Sequence, residues 1–94
     1  MGGIRFTCDP RKMAANRRKH GVSFDEARSV FLDENAKLID APDHSAEESR
    51  FILLGLSHRL RLLVVCHTYR SDDEEIRIIS ARKADKSERM QYTG

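Results

Sequence analysis

Ninety-four residues are enough for one domain, spanning 1–94, and too few for two independent cores or for a core that encloses a large cofactor, so a surface groove and no cofactor are expected. With 39% hydrophobic and 34% charged residues the chain reads as globular; no run approaches the ~18 apolar residues of a membrane span and no secretory leader is visible, so a cytoplasmic protein is expected. The net charge of +2 hides a segregation, since residues 11–20 carry five cations and no acid while residues 72–75 read Asp-Asp-Glu-Glu.

Residues 4–8 alternate apolar and polar side chains, the period of a half-buried strand. Asp9 and Pro10 supply an N-cap and a first helical position, predicting a helix through the basic segment to about His20, with Gly21 just past its end. Ser23 and Glu26 have capping-box spacing for a second helix with Phe24, Ala27, Val30 and Phe31 on one face, and the two helices form a tight hairpin. Period two then returns. It predicts a short strand over 36–40, a polar loop through Asp43, His44 and Ser45, and three strands over about 50–56, 61–69 and 75–83. Their short links make these neighbours antiparallel. In the last strand Ile76, Ile78, Ser80 and Arg82 should share one face, and Arg77, Ile79 and Ala81 the other. Asp85 and Glu88 form a further cap pair before a short polar helix ending near Tyr92, with little apolar surface to hold it still. The order β-α-α-β-β-β-β-α predicts an α+β fold: an antiparallel sheet with the two N-terminal helices packed on one face and a short C-terminal helix.

Cys8 and Cys66 sit in strand-like runs without C-x-x-C spacing, as small core residues of a reducing compartment do. His67 alternates with Val65 and Tyr69 and reads as a core histidine, and Glu48 and Arg50 are spaced to pair on one strand face. Asp40, Asp43, His44, Glu47 and Glu48 could hold a hard cation, but Pro42 and Asp43 are ordinary turn residues and no ligand spacing appears, so no metal site is expected. Twelve of the seventeen cations are arginine, whose fork matches phosphate geometry; a polyanion partner and a plain solvated surface both fit the charge alone.

The residues Asn16, Lys19, His20, Gly21, Val22, Ser23 and Phe24 stand in the pattern N-x-x-K-H-G-V-S-F, which resembles the signature of the BrnT family of toxin–antitoxin proteins. Glu48, Arg50, Gly55, Arg61 to Val65 and Arg70 follow in that family's order, and Ile76 to Ala84 with Glu88, Arg89 and Tyr92 resembles its C-terminal block. One departure is Cys8, where the family usually carries Trp before Asp-Pro; this position belongs to the first strand and suggests a packing change. The resemblance implies a RelE-like ribonuclease fold, toxicity by translation arrest, and neutralisation by a BrnA-like antitoxin. It also implies that the toxin–antitoxin pair, not the toxin by itself, contacts operator DNA and represses its own promoter.

Metal-free RNA cleavage needs a base for the 2′-hydroxyl, cations on the phosphate and an acid for the leaving oxygen. His20 is the candidate proton-transfer residue because an ordinary histidine titrates near neutrality. The structural alternative is as plain, since Lys19 and His20 fall in a last helical turn, where cations complement the dipole and cap carbonyls. Arg61, Arg70, Arg77 and Arg82 stand on strands that can fix a guanidinium, or that they simply keep soluble. Arg70 and Arg82 are the candidate phosphate clamps, with Ser80 as a hydrogen-bonding neighbour, so the catalytic set is His20, Arg70, Ser80 and Arg82. Lys19, Arg61, Arg77 and Tyr92 form the RNA-binding set, with Tyr92 either stacking on a base or anchoring the last helix. The alternative function is a non-catalytic RNA- or protein-binding module on the same fold. Under both readings a protein partner is expected to cover the basic face with an acidic segment, in a two-fold toxin–antitoxin assembly.

Overall fold

The cap signals of the N-terminal half become hydrogen bonds. In the computed structural model, which describes residues 3–40, 50–70 and 74–93, Asp9 accepts from the Arg11 and Lys12 amides and starts α1 (Pro10–His20). The helix stops where Gly21 adopts a left-handed φ of 71° and its N–H donates to the Arg17 carbonyl. The Ser23 hydroxyl then accepts from the Glu26 amide and starts α2 (Phe24–Ser29), which tightens into a 3-10 turn over Val30–Leu32. Only half of the expected capping box forms. The Glu26 carboxylate turns inward to Ser57 and Arg61 instead of back to Ser23.

Five strands follow the predicted order: β1 (Arg5–Cys8), β2 (Lys37–Asp40), β3 (Phe51–Leu56), β4 (Leu62–Arg70) and β5 (Glu75–Lys83). They form one sheet in the order β1-β5-β4-β3-β2, closed by α3 (Lys86–Thr93). The ladders among β2 to β5 are antiparallel, as their short connections demand. β1 differs from the antiparallel expectation: it runs parallel to β5, with Arg5 opposite Glu75, so the sheet is mixed. A parallel pair needs a long connection, and here nearly the whole domain supplies it.

One sheet face buries Met13, Val22, Ala27 and Val30 from the helical hairpin against Leu53, Leu63, Val65, Ile76, Ile78 and Ala81. The other carries a smaller cluster, Leu54, Val64 and Ala84, with Ile52, Leu62 and Tyr92 packed against it. Close approach at the first core requires glycine at one point. A Cβ on Gly55 would lie 2.9 Å from both the Ala36 Cβ and the Val30 Cγ1.

The ladder between β4 and β5 slips once, and the slip corrects the predicted faces of β5. Cys66 faces Ser80 but His67 faces Ile78, which leaves Ile79 as an extra residue. Strict alternation puts Ser80 and Arg82 with Ile76 and Ile78. The bulge inverts the alternation, so Ala81 joins Ile76 and Ile78 in the core, while Arg77, Ser80 and Arg82 stand opposite Thr68, Cys66 and Val64 on the second face. Beside the bulge, Asn16 of α1 acts as a short piece of strand. Its carboxamide donates to the Ala81 carbonyl at 2.9 Å and accepts from the Ala81 amide at 3.1 Å, pinning the helix to β5 beyond the end of β1.

The loop through Asp43, His44 and Ser45, the Asp40–Glu48 cation reading, the Glu48–Arg50 pair and most of the acidic turn before Glu75 lie outside the described residues. Among the described residues no helix is long and apolar enough to cross a membrane.

Candidate nucleic-acid interface

The second face of the sheet is only partly covered by α3, and its other end is lined with cations. There Thr68 on β4 is flanked by its register partner Arg77 on β5 and by Arg50, one residue ahead of β3. Strands lie about 4.8 Å apart, so the two arginines leave the sheet roughly 10 Å from one another with Thr68 between them. Asp9 and Lys12 from the first turn of α1, Arg70 from the end of β4 and the bulged Ile79 complete a cavity of about 180 Å³. Among the described lining residues four cations, of which Arg70 is engaged elsewhere, face one carboxylate, and that carboxylate is already accepting from two amides. The Nε of Arg50 is buried and has no hydrogen-bond partner among the described residues. Burial raises the pKa of the Cys8 and Cys66 thiols, and the opposing pull comes from Arg77 on the first and Arg50 on the second.

Ser80 and Arg82 lie further along the same face. Ser80 is exposed. Arg82 grips Glu88 with two parallel bonds of 2.8 Å, while Glu88 also closes a capping box with Asp85 at the start of α3. The Arg82 hydrogen bonds are the foremost reason that the Glu88 carboxyl is held below its ordinary range. Tyr92 is half-buried, and its hydroxyl donates to the Asp33 carboxylate at 2.7 Å. The Lys37 ammonium donates to the Gln91 carbonyl. The helix expected to have little to hold it is tied at three points, and Tyr92 is in the anchoring arrangement.

The remaining predicted residues are elsewhere. Lys19 is exposed and His20 half-buried in the final turn of α1, where His20 is eight residues and about 12 Å along the helix axis from Lys12. Arg61 is committed to an internal network. Its Nε donates to Glu26 at 2.7 Å and its terminal nitrogen to the other Glu26 oxygen and to the Gly21 carbonyl, while the Ser57 hydroxyl donates to Glu26 at 2.7 Å. Glu26 is 1% exposed, and the hydrogen bonds from Arg61 lead the effects that keep its carboxyl ionised below the usual range.

The histidines give the cationic face no proton carrier among the described residues. His67 is fully buried, with Nδ1 3.2 Å from the Val65 carbonyl oxygen and Nε2 3.2 Å from the Tyr69 hydroxyl. Its ring packs edge-on to Phe31, and burial lowers its pKa, so it sits neutral in the core. His58 is exposed beside Ile4, Phe6 and Leu32, away from this face. No group of three or more His, Cys, Asp or Glu side chains suited to a metal occurs among the described residues.

The structure therefore brings Arg70 and Arg77 into one cavity, keeps Ser80 and Arg82 on the same face, and separates Lys19, His20 and Arg61 from them. It adds two residues that the sequence did not single out for this site. Arg50 was visible as a member of a motif block and as a strand partner for Glu48, and Lys12 as one cation in a basic helix; their convergence depends on the tertiary fold.

A mixed sheet with helices on one face and guanidinium groups along the other defines a small α+β protein suited to a phosphate polymer. The chain matches, over residues 8–88, the family model described as ribonuclease toxin, BrnT, of type II toxin–antitoxin systems, and it belongs to that family. It is accordingly a type II ribonuclease toxin, a class with an RNA substrate and an antitoxin partner. Among solved structures, the ribonuclease toxin BrnT of Brucella abortus is similar at a TM-score of 0.68 and 26% identity, covering 88% of this chain and 99% of that one. No curated protein sequence matches the chain.

Proposed function

We propose that this toxin cleaves RNA in the cytoplasm without a metal ion and thereby arrests translation. A BrnA-like antitoxin neutralises it in a two-fold assembly, and that assembly binds operator DNA and represses the operon. The observation that carries the cleavage reading is the bulge at Ile79, which gathers Arg77, Ser80 and Arg82 on one accessible face beside the cavity holding Arg70. An RNA backbone lying along this face meets Arg70 and Arg77 at one end, Ser80 in the middle and Arg82 at the other. The 2′-hydroxyl gives its proton to water and attacks the adjacent phosphorus, and the bond to the 5′-oxygen breaks as that oxygen takes a proton from water, leaving a 2′,3′-cyclic phosphate and a 5′-hydroxyl. Guanidinium groups stabilise the charge that grows on the phosphoryl oxygens, and Ser80 offers a hydrogen bond. Because no histidine of the described residues reaches this face, electrostatic stabilisation is assigned the larger share of the rate. An acidic antitoxin segment covering the same cations would block RNA directly.

The second reading, a binding module that does not cut, draws on the pairing of Arg82 with Glu88. Cleavage of labelled RNA in excess EDTA, with and without ribosomes, separates the two. The expected outcome is cutting that falls by about 100-fold in Arg77→Ala and Arg82→Ala. His20→Ala should change it by no more than a few-fold, reassigning His20 to the helix terminus. RNA left intact in both settings by folded protein would establish the binding module.

A further inference from the structure

A buried guanidinium N–H with nothing to donate to is costly, because it has lost water without gaining a partner. The Nε of Arg50 is in this position, at the wall of a cavity whose other polar side chains are Lys12, Thr68, Arg70, Arg77 and Asp9. The ligand that relieves it must be an acceptor, must be anionic to offset Lys12, Arg50 and Arg77, which come from three separate segments, and must fit about 180 Å³. A neutral base or sugar meets the first condition and fails the second. A tetrahedral oxyanion meets all three, and it offers the oxygen pair that an arginine Nε–Nη edge binds side-on. Asp9 is no obstacle, since its carboxylate is held by the Arg11 and Lys12 amides at the rim of the cavity. The site also lies away from Arg82, with Thr68 and Val64, their respective partners, four residues apart on β4, or about 13 Å.

We infer that this cavity is a phosphate subsite in which Arg50 and Arg77, on either side of Thr68, hold one RNA phosphodiester, with Lys12 as the outer cation. The inference rests on the ribonuclease reading only for the identity of the polymer. Arg50 is then a binding residue that fixes the strand's register on the face, leaving a neighbouring phosphate to reach Ser80 and Arg82.

The arginine Nε–H signals in a ¹⁵N-correlated NMR spectrum report on the orphan group itself. Two titrations are compared at constant ionic strength: inorganic phosphate, and a short oligodeoxyribonucleotide that lacks the 2′-hydroxyl and cannot be cut. The expected result is a shift of the Arg50 Nε–H signal with the oligonucleotide. A shift with inorganic phosphate alone would overturn the RNA assignment in favour of a free-phosphate site, and an unmoved signal in both would overturn the site. RNA affinity gives a second readout. Arg50→Gln should weaken binding about tenfold, with Arg50→Lys intermediate, whereas Arg59→Gln, an equal charge loss on the exposed turn before β4, should have much less effect. Equal weakening by Arg50→Gln and Arg59→Gln would show diffuse charge and defeat the inference. Protein that shifts but never cuts RNA keeps the subsite and loses the nuclease reading; protein that cuts while Arg50 stays silent does the reverse.

Discussion

Arg61 shows how a single residue can suit nucleic acid in sequence and serve the fold in space. Its guanidinium joins the first turn of α2, through Glu26, to the Gly21 carbonyl at the end of α1, while Ser57 brings the turn before β4 to the same carboxylate. Glu26 is nearly inaccessible, so removing its cation strands a buried charge. Arg61→Met is therefore expected to cost about 3 kcal/mol in urea unfolding, and the double variant Glu26→Gln with Arg61→Met to regain much of it. Reduced RNA affinity with unchanged stability would return Arg61 to the RNA-binding set. Asn16 has the same character. It opens the N-x-x-K-H-G pattern, yet its side chain is spent on the Ala81 backbone and the Val22 carbonyl, so that end of the signature specifies how α1 meets β5.

Among the elements, α3 behaves differently from its composition. Eight polar-rich residues are marginal as an isolated helix, and none of them is buried. What holds the helix is bonds at both ends, Arg82 to Glu88 at the first turn and Tyr92 to Asp33 at the last. Asp33 is a firm anchor. Burial acts to raise its carboxyl, but the Leu56 amide, the Tyr92 hydroxyl and the Asn35 amide together hold it below its ordinary value. Tyr92→Phe removes one hydrogen bond to a charged acceptor, and the α3 amides should then exchange with solvent about tenfold faster while the β4 amides keep their rates. Unchanged α3 exchange would mean that apolar packing on Leu54, Val64 and Ala84 is what holds it. The caps of this helix and of α1 were legible because each is decided within four residues, by Asp85 and Glu88 and by Asp9 and Gly21. The bulge was not. An extra residue at Ile79 is a property of two strands in register, and period-two reading of β5 by itself put Arg77 and Arg82 on opposite faces. Arg50 and Lys12 were obscured for the same reason, since nothing local says that a residue before β3 and the first turn of α1 share a cavity.

Acid response belongs to the whole molecule, because its titrating groups come from several elements and act in one direction. Burial chiefly lowers the pKa of His67 from its ordinary 6.5, with the Val65 carbonyl opposing. Below about pH 6.5 the unfolded chain therefore binds a proton that the folded chain refuses, and stability falls as pH drops towards His67's own depressed value. Glu26 and Glu88, lowered first by hydrogen bonds from Arg61 and Arg82, keep their stabilisation above the ordinary 4.5 and lose it as pH falls through their folded values; Asp33 does so from 3.8. The two ranges predict a two-stage profile: a shallow decline starting near pH 6.5, then a steeper one below about pH 4.5, where three structural carboxylates are lost together and net positive charge grows. Urea midpoints measured across pH should show this shape. His67→Gln cannot titrate, so it should flatten the shallow stage and leave the steep one, even if its midpoint is lower throughout. If the variant retains the shallow slope, the proton is taken up elsewhere. If the steep stage also disappears, the core around His67 and the carboxylate network joining α2, α3 and the sheet are one cooperative unit.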